Sequence, residues 1–166
     1  MPCPLKLKDN TVITYEHTLK GCVHWFDLSN NSNPTISSQK ARPFIIINNA
    51  SHSSLRIIIS PVTDRIHTVE KGTNTLKYPY DAPLFIKDYP FLDKNSVVLL
   101  DQVYTVGKDE LCEEWYMGQV FDCTEIDKAI LYNYDLFETV HKIYQELLGE
   151  LGHKVKIDYM NNYSRK

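Results

Sequence analysis

The sequence predicts a mainly β protein of the α+β class, a small β-barrel or curled antiparallel sheet with a long C-terminal helix packed on it. Two observations predict this. Short runs of β-branched and aromatic residues, bounded by Gly, Pro, Asn and Ser, recur between residues 22 and 106. From Ile126 to Leu151 the apolar residues instead recur every three or four positions, the spacing of an amphipathic helix. Strands come first and helix last, without the alternation that builds a parallel sheet.

The composition is that of an ordinary globular protein. The chain has 166 residues, 43% hydrophobic and 23% charged, which suffices for one domain with a substantial core. No apolar run approaches the ~20 residues of a membrane span, and the N-terminus has no signal-peptide pattern, so we expect a cytoplasmic protein. The chain has four cysteines, Cys3, Cys22, Cys112 and Cys123, without CxxC spacing. We therefore expect reduced thiols, no zinc site and no other cofactor.

The net charge of −3 is distributed unevenly. Residues 40–108 contain nine Lys or Arg and six Asp or Glu, a balance of +3, whereas residues 109–166 contain six against twelve, a balance of −6. The strand-rich middle could therefore present a locally positive surface. Ordinary scatter of surface charge explains the same numbers, and a protein that coats DNA is usually more basic than this one.

The first clear strand follows Gly21 and runs from Cys22 to Leu28. The residues before it are weakly patterned, apart from a short strand expected at Thr11–Tyr15. After it, residues 29–40 are rich in Ser and Asn, the composition of a surface loop. A loop of this kind beside a polar site can fold over a ligand.

The next two strands are the centre of the prediction. Phe44–Ile47 and Leu55–Thr63 are short, apolar and β-branched, and an Asn/Ser-rich break separates them. Arg42 and Pro43 stand directly before the first strand, and the proline biases the preceding residue towards an extended backbone. If the two strands pair antiparallel, Arg42 lies beside Thr63, and a permanent cation meets a hydroxyl at one rim of the sheet.

Beyond this hairpin the pattern weakens. A short strand is expected at Leu84–Ile86, and the most convincing strand of the chain at Ser96–Val106. Asp101 and Gln102 interrupt the apolar run of that strand. Because burying a carboxylate without partners is costly, Asp101 either lies at a bend near solvent or pairs with a cation.

The C-terminal third predicts one long helix. Thr124 is a suitable N-cap, Asp127 places a favourable charge in the first turn, and Gly149 and Gly152 are candidate stops. A shorter helix is expected at Asp109–Tyr116. The apolar stripe of the long helix is expected to serve core or dimer packing rather than to hold a cofactor.

Four segments come in order and with workable spacing: Gly21–Leu28, Arg42-Pro43 with the four apolar residues after it, Ile59–Thr63 and Ser96–Lys108. Together they resemble the MazF/PemK (Kid) family of toxins from bacterial toxin–antitoxin systems. The resemblance implies an SH3-like barrel with helices, a homodimer, metal-independent cleavage of single-stranded RNA, and inhibition by a cognate antitoxin that lays an extended tail across the RNA groove.

The resemblance also sets the expected domain organisation and the expected site. We expect a single domain over residues 1–166, with an N-terminal extension (1–20), a family core (21–137) and an extended helix and tail (138–166). By this resemblance Arg42 matches the family's catalytic arginine and Thr63 its catalytic Thr/Ser. Asp101 matches an acidic residue that stands beside a Gln near the family's site. Substrate binding is expected at His24, Trp25, Lys40, Gln102 and Tyr104.

These residue types suit the cleavage of RNA without a metal. The substrate's own 2′-OH attacks the adjacent phosphorus, and a guanidinium fork can hold the negative charge that gathers on the phosphoryl oxygens. The hydroxyl of Thr63 adds one directed donor. One group must take the proton of the 2′-OH and another must protonate the departing 5′-oxygen. Asp101, His24 and Arg42 are the candidates, and the products would be a 2′,3′-cyclic phosphate and a 5′-OH.

Each of these residues has a structural alternative. Arg42 could be a surface arginine tied to a carboxylate, with Asp101 as its ion-pair partner rather than a base. The alternation along the first strand favours His24 as an exposed strand histidine. Aromatic residues of strands, such as Trp25 and Tyr104, belong to the core more often than to a site that stacks bases.

Two functions from different classes are compatible with the sequence. The first is the ribonuclease toxin, which the pairing of Arg42 with Thr63 favours. The second is a non-catalytic barrel that binds nucleic acid or poisons gyrase, which needs neither residue. An inactive toxin homologue is a further alternative, because residues 35–41 depart from the family's pattern before the arginine.

Overall fold

The computed structural model describes residues 15–37, 40–50, 53–64, 69–70, 76–111 and 115–163. Its seven strands are β1 (Cys22–Phe26), β2 (Arg42–Ile46), β3 (Arg56–Asp64), β4 (Asp81–Leu84), β5 (Ser96–Leu99), β6 (Tyr104–Gly107) and β7 (Tyr116–Gln119). Its helices are α1 (Pro34–Ser37), α2 (Thr124–Asn133) and α3 (Phe137–Tyr163), with 3₁₀ turns at Tyr15–Thr18 and Lys108–Glu110. The strand expected at Thr11–Tyr15 lies outside the described residues, apart from Tyr15, which begins the first 3₁₀ turn.

The strands form one antiparallel sheet in the order β4-β5-β3-β2-β1-β7, and β6 pairs with β3 beside this path. The nine-residue strand β3 is the longest and holds the sheet together. Along one edge it pairs with β2, and along the other it pairs first with β6 and then with β5. The mainly β class and the curled antiparallel sheet followed by C-terminal helix are therefore confirmed.

The strands alternate between two buried surfaces, as the pleat of a β-strand requires. One surface, called here the Phe44 face, carries Cys22, Phe26, Phe44, Ile46, Ile57, Ile59 and Val106. The other, called here the Ile45 face, carries Val23, Ile45, Val62, Ala82, Leu84 and Val98. Two residues of α2, Ile126 and Ala129, are buried in the cluster of the Ile45 face, so this helix covers that side of the sheet.

The central hairpin is confirmed, but the long strand expected at Ser96–Val106 is two strands. β5 ends at Leu99 and β6 begins at Tyr104, and the chain turns between them so that the two strands follow one another along the same edge of β3. The polar residues Asp101 and Gln102 lie in this turn. The strand expected at Leu84–Ile86 lies earlier, at Asp81–Leu84.

The prediction of one long C-terminal helix is wrong. The helix is interrupted after Asn133, where Asp135 adopts a positive φ of 51°, and α3 begins at Phe137. The same period of 3.6 continues on both sides of the break, which is why the spacing of apolar residues did not reveal it. Gly149 and Gly152 do not end the helix, which continues to Tyr163. The short helix expected at 109–116 is likewise replaced by a 3₁₀ turn and the start of β7, with residues 112–114 outside the described part.

The chain divides into two compact units, residues 1–130 and 131–166. The first contains the whole sheet and most of α2. The second contains the end of α2 and the 27-residue helix α3. Among the described residues, no helix is long and apolar enough to cross a membrane.

Candidate active site

Arg42 and Thr63 occupy matching positions on neighbouring strands. In the antiparallel register of β2 with β3, Phe44 pairs with Pro61 and Ile45 with Ser60. Arg42 and Thr63 each lie two residues beyond the last pair of this register, Arg42 before Phe44 and Thr63 after Pro61. Alternation along each strand puts both side chains on the Phe44 face, and both are half-buried.

The ladder between the two strands ends just before this pair. Ile47 donates its N–H to Ile58 O at 2.9 Å, and alternate residues of a strand donate in the same direction. The equivalent donor four residues before Ile47 would belong to residue 43, which is a proline and has no N–H. The pairing of β2 with β3 accordingly stops at Phe44.

Each residue of the pair is fixed by the strand on its other side. Arg42 pairs with Phe26 of β1, and Thr63 pairs with Val97 of β5. The guanidinium and the hydroxyl therefore lie at a fork between β2 and β3, each on a backbone that is held in place.

The described residues include no ion-pair partner for Arg42, since their salt bridges are those of Lys20 with Asp127, Lys94 with Asp64 and Lys128 with Glu125. The structural alternative, in which Asp101 neutralises Arg42, is therefore not realised in the described part of the chain. In the described part of the chain no carboxylate neutralises the guanidinium, whose N–H donors suit an anionic ligand.

Asp101 lies in the exposed turn between β5 and β6, as one of the two sequence alternatives required. The turn is anchored to β3 by the buried Ser60, whose Oγ lies 2.6 Å from Leu99 O and 2.9 Å from Gln102 O. Gln102 N–H also donates to Leu99 O at 3.1 Å. The turn with Asp101 and Gln102 is thus anchored to Ser60, which lies in the middle of β3, three residues before Thr63.

Asp81 is a carboxylate that the sequence analysis missed. It is only 5% exposed, and neither carboxylate oxygen has a hydrogen-bond partner among the described residues. It pairs with Leu99, and since Ala82 belongs to the Ile45 face, Asp81 lies on the same face as Thr63. Burial, and secondly the charge of Asp101, raise the pKa of Asp81 from 3.8 to about 6.

Of the two aromatic residues expected to bind substrate, only one shares the face of Arg42 and Thr63. Tyr104 begins β6, and its half-buried ring packs edge-on against Phe44 with centroids 6.2 Å apart. Trp25 is 41% exposed and alternates to the Ile45 face, opposite Pro43. Lys40 is exposed two residues before Arg42.

The expectation that His24 is an exposed strand histidine is wrong. Its side chain is completely buried, its Nε2 lies 2.7 Å from His17 O, and its ring packs against Phe26 and Tyr116. The alternation was read correctly, but the 3₁₀ turn before β1 and the strand β7 cover this position. A role of His24 in substrate binding stays a prediction, and its ring has no surface through which to meet a substrate in this structure.

The arrangement combines a cation, a hydroxyl and a carboxylate around β3. A cation and a hydroxyl on one face at an open fork can hold a phosphate, while a nearby carboxylate can accept a proton. Among the described residues, no three His, Cys, Asp or Glu side chains form a group that could hold a metal ion.

Two residues of this neighbourhood carried weak signals in the sequence. Ser60 is the one polar residue between Ile57 and Val62, an apolar run, and its hydroxyl could have been expected to bond a neighbouring backbone. Asp81 follows a Tyr-Pro-Tyr sequence that is typical of a loop, and nothing local indicated that the carboxyl is buried.

Comparison with known proteins identifies relatives of the sheet-containing part. The family model described as PemK-like, MazF-like toxin of type II toxin–antitoxin system matches residues 20–131. An endoribonuclease MazF of Staphylococcus epidermidis is 32% identical over 115 residues, which cover 67% of this chain and 86% of that protein. A solved structure of an endoribonuclease in complex with its cognate antitoxin, from Mycobacterial species, is similar in fold, with a TM-score of 0.50, 24% identity, and coverage of 71% of this chain and 95% of the other.

Proposed function

The chain belongs to the PemK-like, MazF-like toxins of type II toxin–antitoxin systems and is an endoribonuclease of that kind; we propose that it cleaves single-stranded RNA without a metal, using Arg42, Thr63 and Asp101. The observation that carries the assignment of residues is the fork between β2 and β3. There a guanidinium without an ion-pair partner among the described residues and a hydroxyl lie on the same side of the sheet, on neighbouring strands.

In the proposed reaction the 2′-oxygen of the substrate forms a bond to the adjacent phosphorus, and the bond from phosphorus to the 5′-oxygen breaks. The Asp101 carboxylate accepts the proton of the 2′-OH. Arg42 and Thr63 donate hydrogen bonds to the phosphoryl oxygens, where negative charge increases in the transition state. A proton passes from Arg42 to the departing 5′-oxygen, which leaves a 2′,3′-cyclic phosphate and a 5′-OH.

The remaining expected residues would hold the nucleotides on either side of the cleaved bond. Tyr104 offers a ring on the same face as Arg42, which suits stacking of a base, and Gln102 offers a side-chain amide in the anchored turn. Lys40 adds a cation beside the fork for the neighbouring phosphate. Trp25 lies on the opposite face of the sheet from Arg42, so it would contact only RNA that extends to that face.

The test is cleavage of a long RNA by the purified full chain in the presence of EDTA. We expect fragments with 2′,3′-cyclic phosphate ends from the wild type, none from Arg42→Ala, and wild-type cleavage by Arg56→Ala. Arg56 is an exposed arginine at the far end of β3 and serves as the matched control. Circular dichroism should show that both variants are folded.

Persistent cleavage by Arg42→Ala would overturn the proposed mechanism. Intact RNA with the wild type would favour one of the two alternatives, a binding barrel that acts on nucleic acid or gyrase, or an inactive homologue. The affinity for intact RNA would then separate the two alternatives. Binding that depends on Arg42 would indicate the binding barrel, and its absence the inactive homologue.

The partners follow from the same family. One of the similar structures holds a cognate antitoxin, and we propose that an antitoxin inhibits this chain by occupying the fork. We also propose a homodimer, a cytoplasmic location, and a single domain over residues 1–166 with an N-terminal extension (1–20), a family core (21–137) and an extended helix and tail (138–166). Co-expression with the product of the neighbouring gene, followed by co-purification, tests the first of these proposals.

A further inference from the structure

The helix α3 presents a continuous stripe of apolar side chains to solvent. It lies beyond residues 20–131, the part that matches the toxin family. Eight large apolar residues around its first four turns are between 36% and 57% exposed: Leu136, Phe137, Val140, Ile143, Tyr144, Leu147, Leu148 and Leu151. An apolar stripe of this length on a single helix is a binding surface rather than scattered exposure.

The spacing within the stripe is that of a helix that packs against another helix. Phe137, Val140, Tyr144, Leu147 and Leu151 are separated by three, four, three and four residues, the a and d positions of a heptad repeat. Three residues of the stripe widen this seam on its flanks: Leu136, Ile143 and Leu148. A period of 3.5 keeps the seam on one side of a partner helix over its whole length.

We propose that α3 binds the α3 of a second copy of this chain, antiparallel, through this stripe. Two identical helices offer the same heptad seam to each other, so the stripe is complementary to itself. The inference is independent of the ribonuclease site and adds an interface outside the family core.

The helix dipoles select the antiparallel orientation. Parallel pairing sets the like ends of two macrodipoles beside each other, whereas antiparallel pairing sets opposite ends together. In the antiparallel arrangement a positions face d positions, so Val140 of one copy faces Leu151 of the other and Tyr144 faces Leu147.

The area available is sufficient for a specific interface. The 27 residues of α3 span about 40 Å. About half of each of the eight side chains is exposed, on the order of 100 Å² apiece, so that pairing two copies covers roughly 1,600 Å² in total. That is the size of a standard specific interface between proteins.

The first experiment measures self-association of the full chain by sedimentation over a concentration series. We expect Leu147→Glu to weaken association at least ~10-fold, because it places a charge in the buried seam. Gln145→Glu adds the same charge on the polar side of α3 and should associate like the wild type. Circular dichroism checks that α3 remains helical in both variants.

The second experiment tests the orientation. Val140→Cys and Leu151→Cys chains carrying different tags are mixed, oxidised and mapped by mass spectrometry, with the wild type and its native cysteines as the reference. We expect a 140–151 disulfide between the two chains. Predominant 140–140 and 151–151 links, or unchanged sedimentation of a helical Leu147→Glu, would overturn the proposal.

Two further readouts separate this inference from the proposed function and from another occupant. Leu147→Glu should still cleave RNA, so that loss of the helix interface and loss of the ribonuclease site are distinguishable. If Leu147→Glu associates normally but no longer binds the antitoxin, the stripe belongs to the antitoxin and the proposed self-association is wrong.

Discussion

The carboxyl of Asp81 is buried on strand β4 within reach of the charge of Asp101, and no group in the described part of the chain forms a hydrogen bond with either of its oxygens. Two like charges are thus held close to the strand that bears Thr63. Because Asp81 is largely shielded from water, the repulsion between the two carboxylates is only weakly screened.

Asp81→Asn should change how stability depends on pH. Well below pH 3.8 the carboxyl is protonated in both the folded and the unfolded chain, so its burial carries no charge penalty. As the pH rises towards 6 the unfolded chain loses this proton while the folded chain keeps it, so the stability contributed by the protonated group is lost. Urea unfolding should show the variant gaining on the order of 2–3 kcal/mol over the wild type between pH 4 and pH 7.5.

The control for this experiment is Asp93→Asn, which removes a carboxylate at an exposed position. A difference between wild type and Asp81→Asn that stays constant from pH 4 to pH 7.5 would show that Asp81 finds a partner in solution.

Replacing Thr63 should reduce RNA cleavage without unfolding the sheet. Thr63→Val keeps the β-branched shape on a half-buried strand but removes the donor, and we expect a loss of about 10²-fold in kcat. Thr63→Ser keeps the hydroxyl and should retain most of the activity. Equal activity of the valine and serine variants would remove Thr63 from the mechanism. Single-turnover cleavage of a defined RNA is the measurement.

Ser60→Ala should act on catalysis through the turn that carries Asp101. The buried hydroxyl is shared by Leu99 O and Gln102 O, and its removal leaves a buried carbonyl without this donor, at a cost of about 1–3 kcal/mol. We expect lower stability in urea and a lower kcat, because Asp101 is less firmly placed. Ser54→Ala, whose hydroxyl bonds the Arg56 carbonyl at the exposed start of β3, is the control. A destabilised Ser60→Ala with full kcat would show that the anchored turn does not matter for the reaction.

Gly21→Ala should destabilise the sheet strongly. Gly21 has a φ of +90°, and an added Cβ would lie 2.2 Å from Val120 O. Its backbone also joins three strands, since its N–H donates to Ile46 O and its carbonyl accepts from Val120 N–H, each at 2.8 Å. The midpoint of urea unfolding, measured by tryptophan fluorescence, should fall by an amount equivalent to more than about 2 kcal/mol.

Gly149→Ala is the matched control for Gly21→Ala. No atom lies within 4 Å of the Cβ that it would add to α3, so the change should raise helix stability by about 1 kcal/mol. Destabilisation by both changes to a similar extent would mean that the backbone geometry at Gly21 is not the cause.

Much of the central hairpin could be predicted because its determinants are local. Two apolar β-branched runs on either side of a polar break define the pairing of β2 with β3, and the alternation of a strand then assigns Arg42 and Thr63 to the same face. The family resemblance predicted a catalytic role for the same two residues. The break in the C-terminal helix was missed because the apolar period is the same on both sides of Asp135.

By itself, the sequence determined the mainly β class, the hairpin and the placement of Arg42 and Thr63 on one face of it, because strand propensity, alternation and proline all act within a few residues. Only the tertiary structure decided that β3 changes partner from β6 to β5, that His24 is covered, and that Asp81 is buried beside Asp101. Those features depend on which distant segments pack over a residue, and the free energy of packing is a property of the assembled sheet rather than of any short stretch of chain.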